Sequence, residues 1–217
     1  MIVEFIALIA PLLLIATMWL AFKDFHARFG YPGGYLLAFG IYWLGWCLLF
    51  PAVLLGGFDE ILVMFHPVQS FLTLDGLTLA LLSWPLFFPL IFIFIPRIRR
   101  ASLGILIASI VLGIVIGFTE EILWRGLYLH LFPGSLWLGI VYPSLMFGLW
   151  HLAPQSVLEN RMPGGVFSFV GYAVVLGLTY AFAAQRAGSI FWPTFSHILH
   201  DTLGLGGFAY AAYIERD

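Results

Sequence analysis

Residues 113–129 read GIVIGFTEEILWRGLYL, and this stretch decides how the whole chain is read. Three ionisable side chains, Glu120, Glu121 and Arg125, stand in a run that is otherwise hydrocarbon. An ionised side chain at the middle of a bilayer costs about 2.5–3.5 kcal/mol on insertion scales. Three together are tolerated only if they pair, meet water or lie close to an interface, and such groups usually mark a function.

Composition supplies the bilayer. The chain has 217 residues, 62% hydrophobic and 9% charged, where a soluble domain carries roughly 25% charged residues. It therefore reads as an integral membrane protein surrounded by lipid. About 20 apolar residues cross the hydrocarbon layer as a helix. Runs at 2–22, 35–57, 77–95, 101–131, 137–152, 164–184 and 189–210 meet or approach that length. They are continuous rather than alternating, which excludes a membrane barrel. The fold class expected is an all-α polytopic transmembrane helix bundle with seven or eight crossings, forming a single integral membrane domain over 1–217.

The fourth run would extend about 46 Å as one helix. It must tilt, break near Gly113 or Gly117, or project beyond the membrane. The stretch 58–76 reads as a loop holding a short interfacial piece. Pro96–Arg100, Pro133-Gly134 and Pro163–Gly165 read as connectors, because proline breaks the helix and charges stay in water. Met1–Glu4 lacks the positive start of a signal peptide, so the first run is expected to be retained as a span. A net charge of −2 without a basic tract excludes nucleic acid as a partner. The single cysteine, Cys47, cannot form a disulfide within the chain and is expected to pack as a small apolar residue.

Seven crossings with the N-terminus outside would place Lys23, Arg28, Arg97, Arg99, Arg100, Arg161 and Arg216 on the cytoplasmic side, leaving Arg186 outside. This assignment creates a conflict of depth. Glu120 would lie about 30 Å along its helix from Arg100, toward the outer side, whereas His151 would end its own span near the inside.

Three helical pairs carry the chemistry. Glu121 and Arg125 are four residues apart, on one helix face, and can form an ion pair. Glu120 is turned away by about 100° and shares a face with Trp124. Without a local cation, and partly desolvated, Glu120 suits a general base. Phe147 and His151 form a second stacked pair, with Gly148 permitting close helix approach. His197 and Asp201 form the third, and Asp201 either fixes the His197 ring, joins a metal site or donates a hydrogen bond. His200 points off that face and reads as a bystander, and His26, His66 and His130 carry no assigned role. The glycines at 113, 117, 126, 148, 171 and 177 read as ordinary helix-contact positions rather than walls of a cavity. Taken singly, each pair also admits a structural reading, a Glu–Arg clamp or a packing histidine.

The ordered set EEILWRG at 120–126, FGLWH at 147–151 and HILHD at 197–201 resembles the CPBP family. This is the family of CAAX proteases and bacteriocin-processing enzymes, also called Abi, to which the Ras-converting CAAX endopeptidases belong. The resemblance covers roughly residues 100–205, the family-like catalytic core; residues 1–95 match only as generic apolar spans. It implies an intramembrane endopeptidase acting on a membrane-associated or lipidated peptide or protein. Glu120, assisted by His151, would activate a water, while His197 and Asp201 would hold the oxyanion, with Glu121, Arg125 and Phe147 in support.

Family members carry Asn or Asp at the position of Asp201. An ionised Asp would repel an oxyanion, so Asp201 must be protonated, orient His197 or bind a metal. The resemblance favours a glutamate mechanism without a cofactor; the alternative is a zinc-dependent variant with Glu120, His151, His197 and Asp201 as ligands. Two other classes compete with the protease. One is a non-catalytic immunity or peptide-binding membrane protein. The other is a small proton-coupled transporter, which the lack of obvious inverted repeats disfavours. A prokaryotic cell membrane is the expected location.

Overall fold

Prolines inside the spans show how this chain is tied together. A proline has no N–H, so the carbonyl four residues before it loses its helical donor and must find another, because lipid offers none. Pro11 frees the carbonyl of Ala7, which accepts from the Tyr128 hydroxyl at 2.7 Å. Pro89 frees that of Pro85, which accepts from His200 Nδ1–H at 2.8 Å. Pro96 frees that of Phe92, which accepts from Arg97 Nη1 at 2.6 Å. The first two bonds cross between helices far apart in sequence. His200 is therefore no bystander; it pins its helix to another.

The computed structural model describes residues 1–158 and 164–205. Among these, eight helices follow in order. They are α1 (Ile2–Phe29), α2 (Gly33–Leu55), α3 (Phe58–Met64), α4 (Gly76–Arg100), α5 (Leu103–Leu131), α6 (Leu136–Gln155), α7 (Gly165–Ala187) and α8 (Phe191–Leu203). All but α3 and α8 are long and apolar enough to cross a membrane, giving six such helices among the described residues. The chain is a polytopic helical membrane protein. The seventh apolar run appears as the 13-residue α8; its last part, 206–210, lies outside the described residues, as do Arg161, Pro163 and Arg216.

Local signals explain the boundaries. The Ser102 hydroxyl caps α5 by accepting from Ile105 N–H, and the Ser135 hydroxyl caps α6 by accepting from Leu138 N–H. Gly188, at φ 69°, ends α7 in the left-handed region that only glycine enters freely. The 58–76 stretch does contain a short helix, α3, followed by a 3-10 turn at Phe71–Thr73. It is latched to the α7–α8 turn, since the carbonyl of Met64 accepts from Ile190 N–H and from the Ser189 hydroxyl. Asp75 caps α4 and pairs with Arg186 at 2.9 Å. Hydrogen bonds from Thr78, then from Arg186, hold the Asp75 carboxyl below the usual carboxylate range.

Helix α5 does not break at Gly113 or Gly117. It stays α-helical through Glu121 and then widens into a π-helical turn, Ile122–Leu127, whose residues are all buried. The two glycines instead admit α8. A Cβ on Gly113 would stand 2.8 Å from the carbonyl oxygen of Ile198, and one on Gly117 would stand 2.7 Å from the backbone nitrogen of Ile198. Gly148 and Gly177 let α6 and α7 meet in the same way, whereas a Cβ on Gly171 would meet nothing within 4 Å. Gly171 is thus no contact glycine. Elsewhere the core is aromatic: Tyr42 stacks on Trp150 with ring centroids 3.7 Å apart, and Phe22 and Phe39 pack around them. Cys47 is fully buried in that cluster.

The conflict of depth dissolves in this geometry. Helices α5 and α6 are joined by a short turn, so depth is best counted from that turn. Glu120 lies about 16 Å before the end of α5 and Phe147 about 16 Å into α6, with His151 one turn further on. The mismatch arises because α6, 20 residues against 29 for α5, stops short of the depth at which α5 begins.

Close approach of α8 to Gly117 gives a test. Gly117→Ala places a methyl against backbone that cannot rotate away, so its melting temperature in detergent should fall by several degrees, while Gly171→Ala should hold or slightly raise it. Equal effects of the two substitutions would show that α5 and α8 do not meet at Gly117.

Candidate functional site

The site forms where the end of the α-helical part of α5 meets α8, with α6 and α7 closing around it. Glu120, Glu121, Arg125 and His197 are all less than 5% exposed. The helical pair predicted from spacing is made: Arg125 Nη1 lies 3.0 Å from Glu121 Oε1. The same oxygen accepts from His197 Nδ1–H at 2.8 Å. Glu121 thus bridges a cation on its own helix and an imidazole on another.

His197 turns its other nitrogen toward two more carboxylates. Nε2 lies 3.8 Å from Glu120 Oε2 and 3.5 Å from Asp201 Oδ2. The ring is fixed by Glu121 rather than by Asp201, because only the first contact is a hydrogen bond in distance and alignment. Asp201 is the more open member, its side chain 22% exposed.

Two aromatic side chains, Tyr180 and Phe147, set the walls. Tyr180 of α7 stacks on His197, with centroids 5.0 Å apart and planes at 24°. The Arg125 guanidinium lies over Phe147 at 4.5 Å and over Tyr180 at 5.4 Å. Charge over a ring face is favourable, more so when both are desolvated. Phe147 meets both imidazoles edge to face, His151 at 4.8 Å and His197 at 6.4 Å.

His151 is placed differently from the others. Its Nδ1–H donates to the carbonyl of Phe147, one turn back on α6, at 2.7 Å. A carbonyl can only accept, so this bond fixes the tautomer and leaves Nε2 free to take a proton. Phe169 flanks the ring on the α7 side. Among the described residues His151 makes no hydrogen bond to Glu120 or His197, and the Phe147 ring spans the interval between the imidazoles. Glu120, Glu121, Arg125, Phe147, His197 and Asp201 are therefore gathered directly, and His151 faces them across a ring.

No group of three or more His, Cys, Asp or Glu among the described residues is arranged to hold a metal ion. His197 Nδ1 bonds Glu121 while its Nε2 faces Glu120 and Asp201, and His151 Nδ1 bonds the Phe147 carbonyl.

No sequence pattern points to Tyr180 or Tyr42 as residues beside the site. Tyr180 lies in an apolar span without a motif. Tyr42 lies on α2, where Trp124 Nε1–H donates to its hydroxyl at 2.8 Å. The face shared by Glu120 and Trp124 was the one available signal, because it shows where a partner would have to stand.

The buried pair has a measurable consequence. Removing one member of a buried ion pair strands the other and costs about 3–5 kcal/mol, against about 0–1 kcal/mol for an exposed pair. Arg125→Leu should sharply lower stability in detergent unfolding, whereas Arg28→Ala, which breaks the exposed pair with Asp24 at 2.8 Å, should barely change it. Similar losses from both would contradict the burial of the Arg125 pair.

Residues 102–203 match the family model described as "Rce1-like: Type II CAAX prenyl endopeptidase Rce1-like". No curated protein and no solved structure matches the chain. The matched segment begins at the cap of α5, ends at the last residue of α8 and contains all three motifs. Over this segment, a little under half of its length, the chain is similar to the type II CAAX prenyl endopeptidases.

Proposed function

We propose that the protein is an intramembrane endopeptidase, with water activated by Glu120 and no metal ion required. The observation that carries this reading is the convergence of Glu120, His197 and Asp201 from two helices on a buried site. Glu120 is the carboxylate that neither Arg125 nor the Nδ1–H of His197 engages, since both are taken by Glu121.

In the proposed reaction a water sits between Glu120 and His151. Glu120 accepts one of its protons as the oxygen attacks the peptide carbonyl. His197, held by Glu121, donates from Nε2 to the oxyanion that develops. The proton on Glu120 then passes to the leaving nitrogen, giving an amine and a carboxylic acid, whose remaining proton is lost to the amine or to water. His151, with Nε2 free, orients the water. Phe147 and Tyr180 keep the imidazoles and the guanidinium in place and exclude bulk water from their side of the site.

Asp201 is assigned to the open side of the oxyanion site, 3.5 Å from His197 Nε2, while Glu121 fixes the ring. Its charge then opposes the oxyanion, so an amide there should serve at least as well. The proposed substrate is a peptide or lipidated protein presented from the bilayer, and the whole chain, 1–217, is proposed to act as one membrane domain in a prokaryotic cell membrane.

Purified protein in proteoliposomes, offered prenylated and unprenylated peptides ending in a CAAX sequence, supplies the test. Glu120→Gln should lower turnover by about 10²–10⁴-fold, the usual contribution of a general base. A strong chelator should leave the wild-type rate unchanged. Full activity in Glu120→Gln would remove Glu120 as the base, and loss of activity with the chelator, restored by zinc, would replace this mechanism with a metal-bound water. Asp201→Asn should retain or raise turnover while Asp201→Ala lowers it; the reverse order would show that the Asp201 charge is required.

A further inference from the structure

The segment 102–203 is packed against α2, which lies outside it. Tyr42, on the π-helical turn Ile41–Leu49 of α2, is fully buried against it. Trp124 Nε1–H donates to the Tyr42 hydroxyl at 2.8 Å. An indole nitrogen can only donate, so the direction of this bond is fixed: the phenol oxygen accepts here, and its own proton is left for another acceptor. A fully buried hydroxyl proton finds a partner in nearly every folded protein.

Two groups are placed to accept it: Cys47 on the same π-helical turn, and Glu120, one turn before the Trp124 that bonds Tyr42. Cys47 follows Tyr42 by five residues, the hydrogen-bond repeat of a π-helical turn. A thiol accepts weakly, whereas a carboxylate forms the stronger, charge-assisted bond. The ring has little freedom to choose otherwise. It is stacked on Trp150 with planes at 16°, and Phe39 packs against it edge to face.

Trp124 lies four residues after Glu120, on the face that Glu120 presents. The Trp124–Tyr42 bond therefore brings the hydroxyl to the α5 face on which Glu120 lies one turn earlier. Each π-helical turn contributes one end: Ile122–Leu127 carries Trp124, and Ile41–Leu49 carries Tyr42.

We propose that Tyr42 is a positioning residue, whose hydroxyl, oriented by Trp124, donates to Glu120 and holds that carboxylate toward the reacting water. The proposal rests on the assignment of Glu120 as the base. It gives the N-terminal half of the chain a part in the chemistry beyond spanning lipid.

The test uses the full chain in proteoliposomes with Tyr42→Phe, Trp124→Phe, Glu120→Gln and their pairwise combinations. Tyr42→Phe should lower kcat by tenfold or more with KM unchanged, because the lost bond acts on the base and not on substrate binding. Trp124→Phe should lower kcat in the same direction, and Tyr42→Phe/Trp124→Phe should be no worse than Tyr42→Phe alone. Melting temperatures are read on the same variants. If the bond exists, the shift caused by Tyr42→Phe should largely vanish in a Glu120→Gln background.

An unchanged kcat in Tyr42→Phe, or melting shifts that simply add, would overturn the proposal. The two readouts also separate the proposal from the reading beneath it. If the wild type cleaves no peptide, the endopeptidase assignment fails, and the melting cycle still decides whether Tyr42 and Glu120 are bonded: coupling supports the contact and additivity removes it.

Discussion

One buried carboxylate organises this molecule. Glu121 Oε1 holds Arg125 on its own helix and His197 on α8, and the guanidinium so placed lies between the rings of Phe147 on α6 and Tyr180 on α7. Four helices thus meet on a single ion-pair hub. A charge set of this kind is costly in lipid and holds only where each member is answered by another. Its neighbour Glu120 is drawn to the same depth without being consumed by the pair. The division of labour between adjacent glutamates follows from helix geometry: about 100° of rotation sends one into the hub and the other toward Tyr42 and the open side of His197.

The frame around the hub obeys the rules of lipid rather than water. Apolar burial gives little preference for one helix partner over another when the solvent is itself hydrocarbon. Association then depends on close backbone approach and on polar bonds that lipid cannot supply. Gly113 and Gly117 let α8 lie against α5, and His197 sits next to Ile198, the residue that touches Gly117. Proline-freed carbonyls add fixed cross-links, Ala7 to Tyr128 and Pro85 to His200. The second of these fastens α8 three residues from His197. Small residues and prolines that look like breaks in the sequence are therefore the fittings that align the ionisable groups.

Much of this was legible in the sequence, for physical reasons. Continuous apolar runs read as spanning helices because nothing else satisfies the backbone in lipid. The Glu121–Arg125 pair was legible because four-residue spacing fixes a shared face. The division between Glu120 and Glu121 was legible for the same reason. What spacing within one helix cannot show is which side chain of another helix answers it. Asp201 was the obvious orienting group for His197 because it lies one turn away, yet Glu121, distant in sequence, makes the bond. His200 passed for a bystander because its acceptor is created by a proline in α4. The depth of His151 is misread if α6 is taken to reach as far as α5, because α6 is the shorter helix. Tyr42 was illegible for a further reason: a lone tyrosine in an apolar span carries no pattern, and its meaning comes from Trp124.

The hub is open to a direct measurement by ¹⁵N and ¹H magnetic resonance of histidine-labelled protein in bilayers. The account predicts a hydrogen-bonded Nδ1 proton resonance from His197 that disappears in Glu121→Gln and persists in Asp201→Asn. A His197 resonance that is indifferent to Glu121→Gln, or one abolished by Asp201→Asn alone, would mean that Glu121 does not hold the ring and that the helices are gathered by some other contact.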